Sequence, residues 1–188
     1  MGTITALMIS FYLWLAWAAY WIISAFAAQK TKSSEGMFIR LQHLVPLAVG
    51  FLLIFRFQDV LYGRFYSIVA IKYAGLAITV AGLLFAVWGR VHLGRYWSGI
   101  ITLKEGHRLI RSGPYRFVRH PIYTGFLAAV LGSALTASTV EGFIGFAVML
   151  VSYIVKIRRE EKVLSSEFGD EYLRFKQEVP ALVPFIRS

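Results

Sequence analysis

Residues 3–28 run for 26 positions without a charged side chain. About 20 apolar residues carry a helix across a ~30 Å hydrocarbon layer, so this run is long enough to span a membrane. It is too long for the apolar core of a cleavable signal, and no Lys or Arg precedes it, so a retained first helix is expected. Residues 41–55 form a shorter apolar run of 15, bounded by Arg40 and Arg56, whose stems can snorkel and lengthen it. Residues 68–89 are a clear third span, with Lys72 near one end. Residues 122–155 extend for 34 positions with a single charge, Glu141. One straight helix of that length would reach ~51 Å, too long for a single crossing. The polar run Thr136-Ala137-Ser138-Thr139, followed by Glu141-Gly142, predicts a tight hairpin inside it. The pattern predicts an all-α integral membrane fold with five transmembrane helices. A single membrane domain covers 1–188, with a two-helix part over 1–67 and a core over 68–188.

Charge tests that count independently. Seventeen of the twenty Lys and Arg residues fall in 29–40, 89–121 and 156–188, which five crossings put on one side; Arg56, Arg64 and Lys72 fall on the other. The positive-inside rule then sets the amino terminus outside and the carboxyl terminus in the cytosol. Composition agrees: 57% of residues are hydrophobic and 16% charged, with a mean hydropathy of +0.61, whereas soluble domains carry about 25% charged residues. The net charge of +10 follows from basic residues flanking membrane spans, so no nucleic acid partner is expected. The chain has no cysteine, which excludes disulfides, thiolate metal sites and cysteine nucleophiles. His43, His92, His107 and His120 lack the i,i+4 spacing of a helical zinc pair, and no metal is expected. A G-x-S-x-G elbow, a G-x-G-x-x-G fingerprint and a P-loop are all missing from the sequence.

Two basic segments are too long and too patterned to be plain connectors. The linker 90–119 carries Tyr96, Trp97, Leu109, Ile110, Tyr115 and Phe117 between its charges and leads into Arg119-His120-Pro121. Gly113-Pro114 is a turn signal, and Pro121 sits where a helix can begin, since a first-turn residue needs no backbone donor. His120 is then expected at the mouth of the fourth span. In the tail, nothing interrupts the fifth helix before Gly169, and a short further helix follows. Lys156 and Glu160 lie one turn apart on one face, with Glu161 and Lys162 pointing elsewhere.

The order His107-Arg108-Leu109-Ile110, Gly113-Pro114-Tyr115, Arg119-His120-Pro121-x-Tyr123-x-Gly125, Glu160-Glu161, Phe168-Gly169-x-Glu171-Tyr172 and Val179-Pro180 resembles the isoprenylcysteine carboxyl methyltransferase family. Its Arg-His-Pro and Glu-Glu elements also occur in integral-membrane phospholipid methyltransferases. The resemblance covers roughly residues 90–188 and implies that 68–188 is a methyltransferase core using S-adenosyl-L-methionine, with linker and carboxyl-terminal helices forming a cytosolic cofactor pocket. It implies cofactor-binding roles for His107, Arg108, Leu109, Ile110, Tyr115, His120, Pro121, Ile122, Tyr123 and Glu160. Lys156 stands where the family generally has an arginine directed at the substrate, and Arg158 is the candidate to share that catalytic role, since lysine lacks a guanidinium fork. The acceptor implied is a lipophilic small molecule or lipidated substrate drawn from the membrane lipid phase, first of all a carboxylate of an isoprenylcysteine-like molecule. A carboxylate of pKa ~4 is already ionised at neutral pH and needs no general base; an amine acceptor would need one. A portal for it is expected near the third to fifth spans. The alternatives are phospholipid amine N-methylation, an NADPH-dependent sterol- or polyprenyl-type membrane reductase, and a non-enzymatic membrane scaffold.

Overall fold

The computed structural model describes residues 2–26, 37–57, 60, 68–94 and 109–184, and among these it has helices and turns but no β-strand. The helices are α1 (Gly2–Ala25), α2 (Met37–Phe55), α3 (Val69–Leu93), α4 (Pro121–Ala137), α5 (Val140–Phe168) and α6 (Asp170–Glu178). By length and composition α1, α3 and α5 can each cross a membrane; α2 and α4 are apolar but shorter. The expected hairpin is present. α4 ends at Ser138, which adopts a left-handed φ of 62°. Thr139 then caps α5, its hydroxyl oxygen accepting the Gly142 amide at 3.1 Å and so satisfying one open donor of the first turn. As the uninterrupted sequence predicts, α5 continues to Phe168 and stops at Gly169, whose φ of 50° suits a residue without Cβ. α6 starts immediately after it.

Small residues bring the helices together. Gly75 and Gly82 on α3 face Gly132 and Gly125 on α4, at a spacing of seven that brings the same face round every two turns. A Cβ on Gly82 would stand 2.5 Å from the Gly125 carbonyl oxygen, and one on Gly75 2.6 Å from that of Gly132. Backbones this close gain dispersion contact along their length, which is how helices associate in lipid, where burial from water supplies no drive. Gly145 repeats the device between α5 and α2, where a Cβ would lie 2.7 Å from the Gly50 carbonyl oxygen.

Hydroxyl groups tie the remaining helix to this core. Trp14 of α1 donates its indole N–H to the Ser133 hydroxyl at 2.9 Å, and the Ser10 hydroxyl pairs with the same group at 3.0 Å. Thr79 of α3 reaches the Ala129 carbonyl of α4 at 3.3 Å, and Thr136 of α4 reaches the Lys72 carbonyl at 3.2 Å. Such bonds contribute on average about 0.6 kcal/mol each between membrane helices.

The arrangement that results matters for access. α1 rests on α3 and α4, while α2 rests on α5 and α4. Between α1 and α2 runs an apolar groove of about 960 Å³, walled by Leu7, Phe11 and Trp14 on one side and Leu47 and Phe51 on the other, and reaching Phe126 of α4. This groove lies between the first two helices and reaches the fourth span at Phe126, while the glycine contact leaves no room between α3 and α4.

Gly82→Leu is expected to force α3 off α4 and to lower the melting temperature in detergent by on the order of 10 °C. Leu84, 65% exposed on the same helix, provides the comparison: Leu84→Ala is expected to change it by less than about 2 °C. A circular-dichroism melt of both variants checks this.

Candidate active site

The first turn of α4 is held by three neighbouring segments. Gly113-Pro114-Tyr115-Arg116 forms a short 3₁₀ turn that starts at a positive φ of 59° on Gly113. A Cβ there would stand 2.6 Å from the His92 ring, so the position has no space for a side chain. Tyr115 is buried and its hydroxyl faces the Gly89 carbonyl at 3.4 Å. Burial, with the Glu160 charge second, pushes the phenol pKa well above its ordinary value, so it stays a neutral donor. Pro121 packs against Gly89 of α3, as does Ile122.

The tail closes over the same spot. Arg119 and His120 precede the helix proper, so their amides are free to bond elsewhere; they donate to the Pro180 and Ala181 carbonyls at 2.8 and 3.1 Å. The Thr124 hydroxyl donates to the Leu182 carbonyl at 2.8 Å. Beneath this strap, Tyr172, Phe175 and Val179 form a small core that takes in Leu109, Leu164 and Phe168.

At the centre is Glu161, which is buried. Its Oε1 receives Arg119 Nε at 2.8 Å, Arg119 Nη2 at 2.7 Å and His120 Nε2 at 3.3 Å. Its Oε2 meets Lys176 Nζ of α6 at 2.9 Å. The Arg119 fork continues to the Lys176 carbonyl at 3.1 Å and to the Val179 carbonyl.

His120 thereby sits between two carboxylates, with Nδ1 3.9 Å from Glu160 Oε2. Glu160 Oε2 accepts the Tyr123 hydroxyl at 2.7 Å. The His120 and Tyr123 rings stack with centroids 5.6 Å apart and planes 9° from parallel. Tyr153 meets Tyr123 edge-on at 5.2 Å and stacks on Phe126 at 4.8 Å. Lys156 Nζ lies 5.5 Å from the Tyr123 ring centre and 6.0 Å from that of Tyr153, within range for cation–π attraction. On the α2 side, Arg159 donates to Gln42 Oε1 at 2.6 Å, and His43 pairs with Ser152 at 3.4 Å.

The residues singled out in the sequence divide accordingly. Tyr123, His120, Glu160 and Lys156 converge, with Tyr115 close by. Leu109 packs into the tail core and Ile110 is half-buried next to it; Pro121 and Ile122 brace α4 on α3. Arg158 is exposed, two positions and therefore about 200° around the helix from Lys156. His107 and Arg108 lie outside the described residues. Glu161 does turn off the Lys156–Glu160 face, as the spacing predicts, yet it meets His120 at 3.3 Å. One step along α5 turns a side chain by only ~100°, and His120 lies in the angle between the two glutamates. Arg119 is visible in the sequence only as part of its motif, and Tyr153 and Lys176 carry no site reading there. Tyr153 had a signal, since 153, 156 and 160 recur at helical spacing on one face.

Comparison with known proteins adds to the geometry. Residues 75–166 match the isoprenylcysteine carboxyl methyltransferase (ICMT) family. Protein-S-isoprenylcysteine O-methyltransferase B of Arabidopsis thaliana is 31% identical over 115 residues, which are 60% of this chain and 58% of that protein. Methanethiol S-methyltransferase 1 of Bradyrhizobium diazoefficiens is 44% identical over 75 residues, 39% of this chain and 25% of its own length. The solved structure of the eukaryotic intramembrane Ras methyltransferase ICMT superposes with a TM-score of 0.59 at 21% identity, covering 78% of this chain and 53% of that one. The fold is the same, and the matches span a little over half the length of the two isoprenylcysteine enzymes.

Arg119→Ala removes one partner of a buried pair and leaves Glu161 under-compensated. Loss of about 3–5 kcal/mol of stability is expected, seen as a lower melting temperature and as faster proteolysis of the tail after residue 169.

Proposed function

We propose that this chain, whose residues 75–166 match the isoprenylcysteine carboxyl methyltransferase family, transfers a methyl group from S-adenosylmethionine to the carboxylate of an isoprenylcysteine-like lipid. The observation that carries the reading is the meeting of His120, Tyr123, Lys156 and Glu160 at the mouth of α4. This set fits the donor's chemistry. Glu160 offers an acceptor for its ammonium or ribose hydroxyls, Tyr115 and Tyr123 offer neutral phenols, and the Tyr123 and Tyr153 faces attract a cation. When bound, the donor supplies an electrophilic methyl group on a sulfonium.

The chain's own residues then align and desolvate. The Tyr123–Glu160 bond fixes one wall, and its stacking on His120 limits rotation of the ring. A carboxylate acceptor arrives ionised, so the residues need only hold it in line and exclude water. Lys156 is the cation placed to meet it. The apolar tail of such an acceptor fits the groove between α1 and α2, which extends over Leu7–Ala18 of α1, roughly 17 Å of helix. Its inner end at Phe126 stacks on Tyr153 and so touches the site wall. A second reading, a thiol acceptor, is favoured by the likeness to the methanethiol enzyme; it would require a base, for which His120 is placed.

Five crossings, with the amino terminus outside and His120 on the cytosolic side, complete the proposal. This puts the site where a water-soluble donor reaches it from the cytosol while the acceptor comes from lipid.

Three experiments test it. Titration calorimetry is expected to show S-adenosylmethionine binding that Glu160→Gln weakens by about tenfold. Lys156→Ala is expected to cut turnover with an isoprenylcysteine acceptor while leaving donor affinity within about twofold; equal turnover with and without Lys156 removes it from the site. Because the chain has no cysteine, single substitutions report topology cleanly. Val60→Cys is expected to react with an impermeant maleimide in intact cells, and Ser166→Cys only after permeabilisation.

A further inference from the structure

Glu161 has no place in the chemistry just described, yet it meets Arg119, His120 and Lys176 right beside it. We propose that Glu161 is a positioning residue: it selects the proton-bearing nitrogen of His120 and aims the other at the donor site. The inference rests on the methyl-donor reading for its consequence, and on this structure alone for the clamp.

An imidazole nitrogen bonded to a group that can only accept must carry its proton. Glu161 is such a group. Arg119 contributes two N–H groups to Oε1, and Lys176 places its ammonium 2.9 Å from Oε2. These two cations, from the start of α4 and from α6, hold the carboxylate in its charged form. His120 Nε2, 3.3 Å from the same Oε1, is therefore the donor. The ring cannot turn over without presenting a carbon to that oxygen, and its stacking on Tyr123 opposes tilting.

What remains is Nδ1. It faces Glu160 Oε2 across 3.9 Å, a gap wider than a hydrogen bond. Glu160 Oε2 already accepts the Tyr123 hydroxyl. A neutral His120 therefore shows a lone pair on Nδ1 beside Glu160 and Tyr123, and a protonated one shows an N–H there. Glu161 makes this face of the ring constant. The groups around His120 are Glu160 and Glu161 from α5, Tyr123 from α4, Arg119 beside it, and Lys176 acting through Glu161.

The test separates positioning from mere stability. In cofactor-free protein in detergent, the 15N spectrum of the His120 ring is expected to show one tautomer, with the proton on Nε2; Glu161→Gln is expected to give a mixture, since an amide can offer either a donor or an acceptor. The same variant should weaken S-adenosylmethionine binding by about tenfold in calorimetry. Phe175→Leu is the control, because it loosens the tail core without touching His120; it should lower the melting temperature and leave donor affinity unchanged. If Glu161→Gln does not fold, Glu161→Asp replaces it, keeping the charge but drawing the carboxylate back from His120 Nε2, and it should give the same mixture of tautomers. A Glu161→Gln protein that melts lower but keeps one tautomer and full affinity would overturn the proposal. Failure of the unaltered protein to bind the donor would overturn the methyl-donor reading, while a mixed ring in it would overturn the clamp.

Discussion

A buried carboxylate on one helix, met by cations from two other segments, is what the rest of the site depends on. Taking Glu161 out of water costs several kcal/mol, and that cost is recovered only if every oxygen is well paired. Arg119, His120 and Lys176 supply the pairing. They come from the start of α4 and from α6, so the carboxylate on α5 can be satisfied only when all three segments are in place. Arg119 extends the requirement to the tail through the Lys176 and Val179 carbonyls. A network of this kind contributes little net stability beyond an apolar core of equal size. It does make a half-assembled site expensive.

The membrane-embedded part works on different physics. Between α3 and α4 there is no water to exclude, and close backbone contact at Gly75, Gly82, Gly125 and Gly132 takes its place. This rigid pair sets the position of the α4 start, hence of His120, against α5. α1 and α2 flank it and meet through the Phe11–Phe55 and Trp14–Phe51 ring pairs, with the apolar groove running between them. A firm floor beneath an apolar groove suits the lipophilic acceptor proposed above.

Much of this was legible in the sequence. Runs without charge located the helices, and four polar residues with Glu141-Gly142 located the hairpin. A one-turn spacing put Lys156 and Glu160 on a common face, and the Arg-His-Pro element at the start of α4 put His120 at the site. The rest was hidden for a physical reason. Helical periodicity gives the direction of a side chain relative to its own axis, not the neighbour it meets there. Glu161 was read as pointing away because its helix does turn it away from Glu160; that His120 would fill the angle between them depends on how α4 crosses α5. The roles of Arg119 and Lys176 likewise depend on a tail whose fold is set by contacts between residues some sixty apart. Leu109, Pro121 and Ile122 belong to a motif whose members serve packing as well as chemistry, and a motif does not distinguish the two.

The most direct measurement is photochemical. Tritiated S-adenosylmethionine is irradiated on the purified protein in detergent, and the labelled peptides are mapped. The account predicts label in the segments holding Tyr115–Tyr123 and Tyr153–Glu161, displaced by an excess of unlabelled donor. Label confined to α1 and α2, or no displaceable label at all, would contradict it.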